Sequence, residues 1–208
     1  NKIDMTNERM KLLNCTLGLV AGVSLPVSAL AVPQPAQEQT EKQPNIILIV
    51  ADDLGYGDLS CYGAHRIQTP GMDRIANEGI RFTQGFCTAA TSPPSRYSVM
   101  TGKYPWSNVD AKILPGNAAL IIDTQKITLP KLMKQAGYTT GSVGKWHIGL
   151  GDGHVDWNKE VHPGAAEIGY DYSFIQAATN DRVPCVFLEN GRVVGLDPND
   201  PLYVDYRK

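Results

Sequence analysis

The hydrophobic positions of the chain predict strands that alternate with helices. An apolar run rich in β-branched residues is typical of a strand covered on both faces in a parallel sheet. Runs that predict strands lie at 45–51, 80–86 and 139–143. Apolar residues at helical spacing, framed by an early proline and a closing glycine, predict helices. Segments of this kind lie at 69–79 and 128–137, and the prolines after Ser92 predict a third helix that runs toward Gly102.

This alternation predicts the fold class. Strands that alternate with helices indicate an α/β fold with a largely parallel sheet and flanking helices, whose ligands gather at the carboxyl ends of the strands. Near the end of the chain, Asn190-Gly191 separates apolar segments at 186–189 and 192–196. Asn-Gly is a signal for a two-residue hairpin, so an antiparallel excursion is predicted there.

The first part of the chain has the pattern of an export signal. Residues 1–4 precede Met5, and 5–31 combine a short positive region with an apolar run that ends at small residues. We expect an exported protein, periplasmic or secreted, because the apolar run is too interrupted for a stable membrane span. The polar segment 32–43 predicts a flexible linker, and 44–208 are assigned to one folded domain.

Composition narrows the class of protein. The chain has 208 residues, 42% of them hydrophobic, which suits one globular unit with a core. Its net charge of −2 provides no basic surface, so nucleic acid is not an expected partner. After the signal three cysteines remain, an odd number without a CxxC pair, which argues against both a disulfide framework and a zinc site. We expect buried free thiols.

Two neighbouring acids follow the first predicted strand. Asp52 and Asp53 can converge on a divalent cation that prefers oxygen ligands, although two acids in a loop are more often simply solvated. Their position at the end of a buried strand favours the metal site, because two like charges there require a compensating cation.

Two further pairs of residues carry candidate chemistry. Ser92 opens a predicted helix near its positive end, and Arg96, four residues on, projects from the same face. The alternative is a proline-rich helix entry with a capping serine. Lys145 and His147 lie two apart, which in an extended segment places both side chains on one face; a structural role for both is the alternative. His65, His154 and His162 have no such context and are assigned to the surface or to packing.

Three motifs, in order, resemble the blocks of the type I sulfatases of the alkaline phosphatase superfamily. They are IILIVADDLGYGDLSCYG, SPPSRYSVMTGKYPW and GYTTGSVGKWHIG. In that family the first residue of the second motif is a Cys or Ser that a separate maturation enzyme oxidises to formylglycine. The resemblance therefore implies that Ser92 is the precursor of 3-oxoalanine in a serine-type sulfatase. An engineered or decayed cysteine site is the competing explanation.

The same resemblance implies roles for the other residues. Asp52, Asp53 and the converted Ser92 would hold calcium, in preference to magnesium, and Arg96 would steady the hydrated aldehyde. Lys145 would grip the sulfate and His147 would take a proton from the second hydroxyl. A plain serine would be left as a stable sulfate ester, so an unmodified Ser92 should not turn over.

The expected substrate is a sulfated carbohydrate or an aryl sulfate. Residues 169–202 resemble a segment of bacterial sulfatases that act on sulfated glycans. Asp181 and Arg182, together with Asn180, are candidates to bind sugar hydroxyls. An ordinary surface hairpin is the alternative.

Two other functions stay open at this point. The family completes its calcium site with a later Asp-Asn type pair and protonates the leaving group with a later His and Lys, and neither is found after His147. We therefore expect a partial catalytic domain truncated at its C-terminal side, with doubtful activity of its own. A phosphodiester or phosphonate hydrolase of the same superfamily is one alternative, and an inactive remnant is the other.

Overall fold

The computed structural model describes residues 43–206. The chain divides into two compact units, residues 1–48 and 49–208. Of the first unit only 43–48 are described, and these are exposed and form neither helix nor strand. The predicted export signal, and the linker apart from its last residue, lie outside the described residues.

The second unit contains three helices and four strands. The helices are α1 (Pro70–Glu78), α2 (Ser92–Thr101) and α3 (Leu129–Gln135). The strands are β1 (Gly141–Lys145), β2 (Tyr172–Gln176), β3 (Phe187–Glu189) and β4 (Arg192–Val193). Short 3-10 turns occur at Tyr56–Asp58, Ser60–Tyr62 and Pro105–Ser107.

All three predicted helices are confirmed. Each has a proline in its first turn, where the missing N–H costs nothing because that donor has no partner inside the helix. The Thr128 side chain caps α3 by accepting a hydrogen bond from the Lys131 N–H. Gly102 ends α2 in the left-handed conformation, with its N–H bonded to the Ser98 carbonyl.

The four strands form one sheet in the order β1-β2-β3-β4. β1 and β2 are parallel, whereas β2 and β3, and then β3 and β4, are antiparallel. The predicted hairpin is confirmed: Asn190 and Gly191 form its turn, both with positive φ. The prediction of a largely parallel sheet is wrong for the described sheet, because only one of its three pairings is parallel.

Two predicted strands do not form among the described residues. Residues 45–51 and 80–86 take part in no sheet pairing, and their apolar side chains are exposed. An apolar run becomes a strand only when neighbouring strands bond its N–H and C=O groups, which hydrophobicity alone does not provide. The strand predicted at 139–143 does form, as β1, two residues later. β2 was not predicted.

The core lies on one face of the sheet. Ile175 of β2 and Leu188 of β3 face it, together with Trp146 and Ile148, which follow β1 directly, and Ile168. Each of these five side chains is at most 2% exposed, so the end of β1 is among the most firmly packed parts of the structure. That packing fixes the backbone that carries Lys145 and His147.

The three described cysteines, Cys61, Cys87 and Cys185, are free thiols. Cys61 is partly buried and the other two are exposed. The prediction that these thiols are free is confirmed. The prediction that they are buried is wrong, because the segments around them leave most of their side chains at the surface.

Candidate active site

Ser92 is the first residue of α2. Thr91 before it is extended, and the buried Pro93 and Pro94 form the first turn. The ring of each proline fixes its φ at a value that suits a helix. The helix therefore begins at this point of the chain, with Ser92 as its first residue. Ser92 is partly exposed, and as the first helical residue it lies at the positive end of α2.

Arg96 joins three segments of the chain through one guanidinium group. Its Nε donates to Ser92 Oγ at 2.8 Å, its Nη1 to the Lys145 carbonyl at 2.6 Å and its Nη2 to Asp52 Oδ1 at 3.2 Å. The side chain is 13% exposed, so these bonds are partly protected from water. The planar fork of donors in arginine permits three partners in three directions.

Asp52 lies between two cations. Lys145 Nζ contacts its Oδ2 at 2.5 Å, and Arg96 holds its Oδ1. Partial burial by itself raises the pKa of the Asp52 carboxyl, but hydrogen bonds from Lys145 and Arg96 outweigh that effect and lower the pKa below its ordinary value. Asp52 is therefore ionised at neutral pH.

His147 is buried directly after β1. Its Nε2 lies 3.1 Å from the Leu114 carbonyl, which can only accept, so Nε2 carries the proton and Nδ1 is the unprotonated nitrogen. Nδ1 is buried and has no hydrogen-bond partner among the described residues. Burial lowers the pKa of His147, and the charges of Lys145, Arg96 and Arg182 lower it further against the raising effect of the Leu114 bond.

The rule that residues two apart share one face of a strand does not apply to Lys145 and His147. β1 ends at Lys145, and His147 has a φ of 51°, outside the extended region. The spacing rule holds only for continuous extended backbone, so it fails at this turn. The result is a partly exposed lysine beside a buried histidine.

Asp181 and Arg182 lie in the connection between β2 and β3. Arg182 Nη1 contacts Asp181 Oδ2 at 2.6 Å, and the Asp181 side chain is 72% exposed. Hydrogen bonding from Thr179 lowers the pKa of Asp181, and the charges of Arg182 and His147 contribute in the same direction. The connection begins beside the end of β1, because Gln176 pairs with Lys145 and the His147 N–H bonds the Ala177 carbonyl.

The structure therefore brings Ser92, Arg96, Asp52 and Lys145 into one network of direct contacts. His147 and the Asp181–Arg182 pair stand beside it. Asp53, next to Asp52, is exposed and has a φ of 57°. Within residues 43–206, no group of three or more His, Cys, Asp or Glu side chains is arranged to hold a metal ion. His65, His154 and His162 are exposed, as expected of surface residues.

A family model described as Sulfatase matches residues 44–182. The chain belongs to the sulfatase family. This confirms the resemblance drawn from the three motifs, and the α/β fold follows from solved sulfatase structures that the chain matches.

Two sulfatases of one bacterium are similar to this chain in sequence. The N-acetylgalactosamine-6-O-sulfatase of Bacteroides thetaiotaomicron is 52% identical over 198 residues, which are 95% of this chain and 39% of the relative. The N-acetylglucosamine-6-O-sulfatase of the same organism is 46% identical over 60% of this chain and 22% of the relative. The chain thus spans about two fifths or less of the length of these two sulfatases.

Two solved structures resemble the fold. A 6S-sulfatase structure connected with the metabolism of glycosaminoglycans by Bacteroides thetaiotaomicron is 57% identical, with a TM-score of 0.77 over 80% of this chain and 35% of that chain. Ps i-CgsB in complex with k-i-k-neocarrahexaose is 30% identical, with a TM-score of 0.61 over 74% of this chain and 37% of that chain.

Two features of the structure were not found from the sequence. The Leu114 carbonyl, which fixes the tautomer of His147, is a backbone group without a side-chain signature. A cleft of about 450 Å³ contains none of the predicted site residues. Its lining residues are Asn117, Gly153, His154, Val155, Asp156 and Tyr206.

Across residues 43–206, no helix has the length and apolar content needed to cross a membrane.

Proposed function

We propose that this chain carries the nucleophile side of an active site that hydrolyses sulfate esters, with Ser92 as the precursor of the nucleophile. The observation that supports this most strongly is the Arg96 guanidinium, which bonds the Ser92 hydroxyl, Asp52 and the end of β1 at once. A sulfuryl group carries its charge on peripheral oxygens, so a nucleophile beside fixed cations suits its transfer.

Arg96 and Lys145 supply the positive charge beside residue 92. Both are cations within reach of Asp52, and Arg96 touches Ser92 directly. Because they are partly buried, their charges act through less water than exposed cations do and are worth more to an anion beside Ser92. Lys145 is assigned to the sulfate and Arg96 to the oxygen at residue 92.

His147 is the proposed proton acceptor. Its lowered pKa keeps the imidazole neutral at neutral pH, and its Nε2–H bond to Leu114 leaves Nδ1 as the basic atom. A buried nitrogen without a partner is costly unless a ligand uses it, so Nδ1 is the atom that would receive a proton from residue 92.

The donor chemistry of the site fits the two groups that the sulfatase family implies. Formylglycine made from Ser92 by a maturation enzyme would supply a hydrated aldehyde, whose second hydroxyl permits release of sulfate. Asp52, Asp53 and residue 92 offer hard oxygen ligands and would hold calcium, which would neutralise charge on the sulfuryl oxygens. Asp52 is ionised, as such a ligand must be.

The proposed substrate is a sulfated glycan outside the cytoplasm. Two relatives are named for the 6-O-sulfates of N-acetylhexosamines, and the exposed Asp181–Arg182 pair near His147 suits hydrogen bonds to sugar hydroxyls. Export rests on the signal pattern at 5–31. The Asp181–Arg182 pair would bind hydroxyl groups of the sugar while Lys145 binds the sulfate.

One experiment tests the modification and the reaction together. A full-length version of the protein is produced with a formylglycine-forming maturation enzyme, the mass of the peptide containing Ser92 is measured, and turnover of an aryl sulfate is compared with that of an aryl phosphate. We expect loss of two hydrogens at residue 92 and preference for the sulfate. Ser92→Ala should abolish turnover, whereas Ser98→Ala, on the same helix, should retain it. Preference for the phosphate, or turnover by Ser92→Ala, would contradict the proposal.

A further inference from the structure

The segment at 114–116 contacts two parts of the candidate site. At its start, the Leu114 carbonyl accepts the hydrogen bond of His147 Nε2. Two residues later, the backbone of Gly116 lies directly against Val183. A Cβ atom at position 116 would lie 2.1 Å from the Val183 carbonyl oxygen and 3.4 Å from Arg182 Cβ. The φ of Gly116 is outside the left-handed region, so space rather than backbone conformation requires glycine here.

The partner of Gly116 is a compact loop at 179–185, called the 179–185 loop below. The Arg182 N–H bonds the Thr179 carbonyl, which closes a turn. The Cys185 thiol lies 3.0 Å from the Asn180 carbonyl and 3.1 Å from the Arg182 carbonyl. A carbonyl can only accept, so the thiol is the donor that ties the loop together. Asp181 and Arg182 are held at the surface of this turn.

We propose that Gly116 is a positioning residue that holds the 179–185 loop and the partner of His147 in one fixed arrangement. The side chain of His147 is oriented by Leu114, and the Asp181–Arg182 pair is oriented by the loop that packs on Gly116. Moving this segment by the ångström or so that a methyl group demands would displace both. This rests on the proposed function for the roles of His147 and of the Asp181–Arg182 pair.

The first test is Gly116→Ala, with Gly71→Ala as the matched control. Gly71 has nothing within 4 Å of an added Cβ and has no positive φ, so the same methyl group meets open space there. We expect Gly116→Ala to lower kcat and to raise KM for a sulfated glycan, with kcat/KM reduced about 10- to 100-fold, as misplacement by an ångström does. Gly71→Ala should leave both constants within about twofold of the parent.

A second readout does not depend on turnover. Nitrogen-15 NMR of the histidine side chains reports which ring nitrogen of His147 carries the proton. We expect an Nε2–H tautomer in the parent and in Gly71→Ala, and a loss of that single tautomer in Gly116→Ala. A folded Gly116→Ala protein with the parent's tautomer would overturn the proposal. If the parent does not hydrolyse sulfate esters at all, the proposed function fails, and the NMR result still decides the role of Gly116.

The Cys185 variants address the loop alone. Cys185→Ala removes the donor that ties the 179–185 loop, and Cys185→Ser keeps a donor. We expect Cys185→Ala to raise KM for the glycan several-fold with little change in kcat, because Leu114 stays in place, and Cys185→Ser to recover most of the loss. If Gly116→Ala does not fold, an unchanged KM in Cys185→Ala would overturn the proposal, and a raised KM recovered by serine would support it.

Discussion

Residues 49–91 and 92–206 belong to the same unit but differ sharply in packing. Between 49 and 91 no residue is buried, and apolar side chains such as Ile80 and Phe86 are more than 80% exposed. From Pro93 onward, Trp146, Ile148 and Ile168 are almost completely buried. The second region holds all of the described core, although the first contains the apolar run at 80–86 and the end of the run at 45–51.

The candidate site draws on both regions, and each contributes a different kind of group. The well-packed region supplies Ser92, Arg96, Lys145 and His147, whose backbone is fixed by the core. The exposed region supplies the acids Asp52 and Asp53. Contact between the regions at the site is electrostatic, through two cations on one carboxylate. Loss of the acids should therefore harm the chemistry far more than the fold, whereas loss of core residues should destabilise the fold.

Asp52→Ala should have the largest effect. It removes a proposed metal ligand and the carboxylate that pairs with Arg96 and Lys145, so we expect turnover to fall about 100- to 1000-fold, the size seen when one charge-stabilising group is lost. The free energy of unfolding should fall by about 1 kcal/mol or less, because the Asp52 side chain is 38% exposed and solvent weakens its ion pairs. Aryl sulfate turnover and urea unfolding measure the two quantities, with Asp53→Ala as a parallel variant.

Asp58→Ala is the control for that prediction. It removes a carboxylate from the same exposed region, one that accepts a hydrogen bond from Gly55 rather than from a cation of the site. Turnover of Asp52→Ala within tenfold of the parent would contradict the assignment of this carboxylate to the site.

A pair of isoleucine variants tests the packing contrast. Ile148 is 0% exposed and Ile75 of α1 is 58% exposed. Ile148→Ala should lower the free energy of unfolding by about 2–5 kcal/mol, because it removes buried methyl groups and leaves a cavity. Ile75→Ala should lower it by about 0.5 kcal/mol or less. Equal losses in urea unfolding would mean that the two regions are packed alike.

Arg182→Ala should have a smaller effect than the substitutions above, because it changes a partly exposed side chain of the packed region. Loss of one hydrogen-bonding charge should raise KM for a sulfated glycan about tenfold, and Asp181→Ala should act similarly. Because the charge of Arg182 lowers the pKa of His147, its removal should also move the acid limb of the pH–rate profile to higher pH. If glycan and aryl sulfate turnover changed in equal proportion, a role in reading the sugar would be wrong.

The smallest expected effect concerns His162, which lies between Glu167 and Glu160 at 2.9 Å from each. The Glu167 bond and both charges raise the pKa of His162 above its ordinary value of 6.5. Its stabilising contribution is therefore fully present below pH 6.5 and lost as pH rises through the higher folded value. Urea midpoints from pH 5.5 to 8.5 should fall slightly more for the parent than for His162→Gln.

Local signals in the sequence predicted local structure well. Thr128 with its following proline located α3, and Asn190-Gly191 located the hairpin, because capping and turn chemistry depend on a few neighbouring residues. Strands at 45–51 and 80–86 were predicted from hydrophobicity alone, and their formation depends on partners that sequence does not reveal. β2 was missed because its residues, YSFIQ, mix polar and apolar types without a clear period.

The candidate site was predictable to the extent that side chains define it. Asp52, Ser92, Arg96 and Lys145 carry motifs, and the structure brings them together. The support of the site was not predictable, since the Leu114 carbonyl has no signature and Gly116 matters only through its contact with Val183. Such contacts arise between segments more than 30 residues apart in the chain.

The three hydrogen bonds of Arg96 distinguish its charge from its hydrogen-bonding geometry, two properties that are often treated as one. Lysine at this position would preserve the positive charge, and by charge alone the exchange is conservative. Its single nitrogen on a flexible stem could not reach Ser92, Asp52 and the Lys145 carbonyl in three fixed directions. Among related sequences, therefore, a lysine at position 96 would mark a chain that keeps the positive charge of the site but lacks the hydrogen bonds that join its three segments.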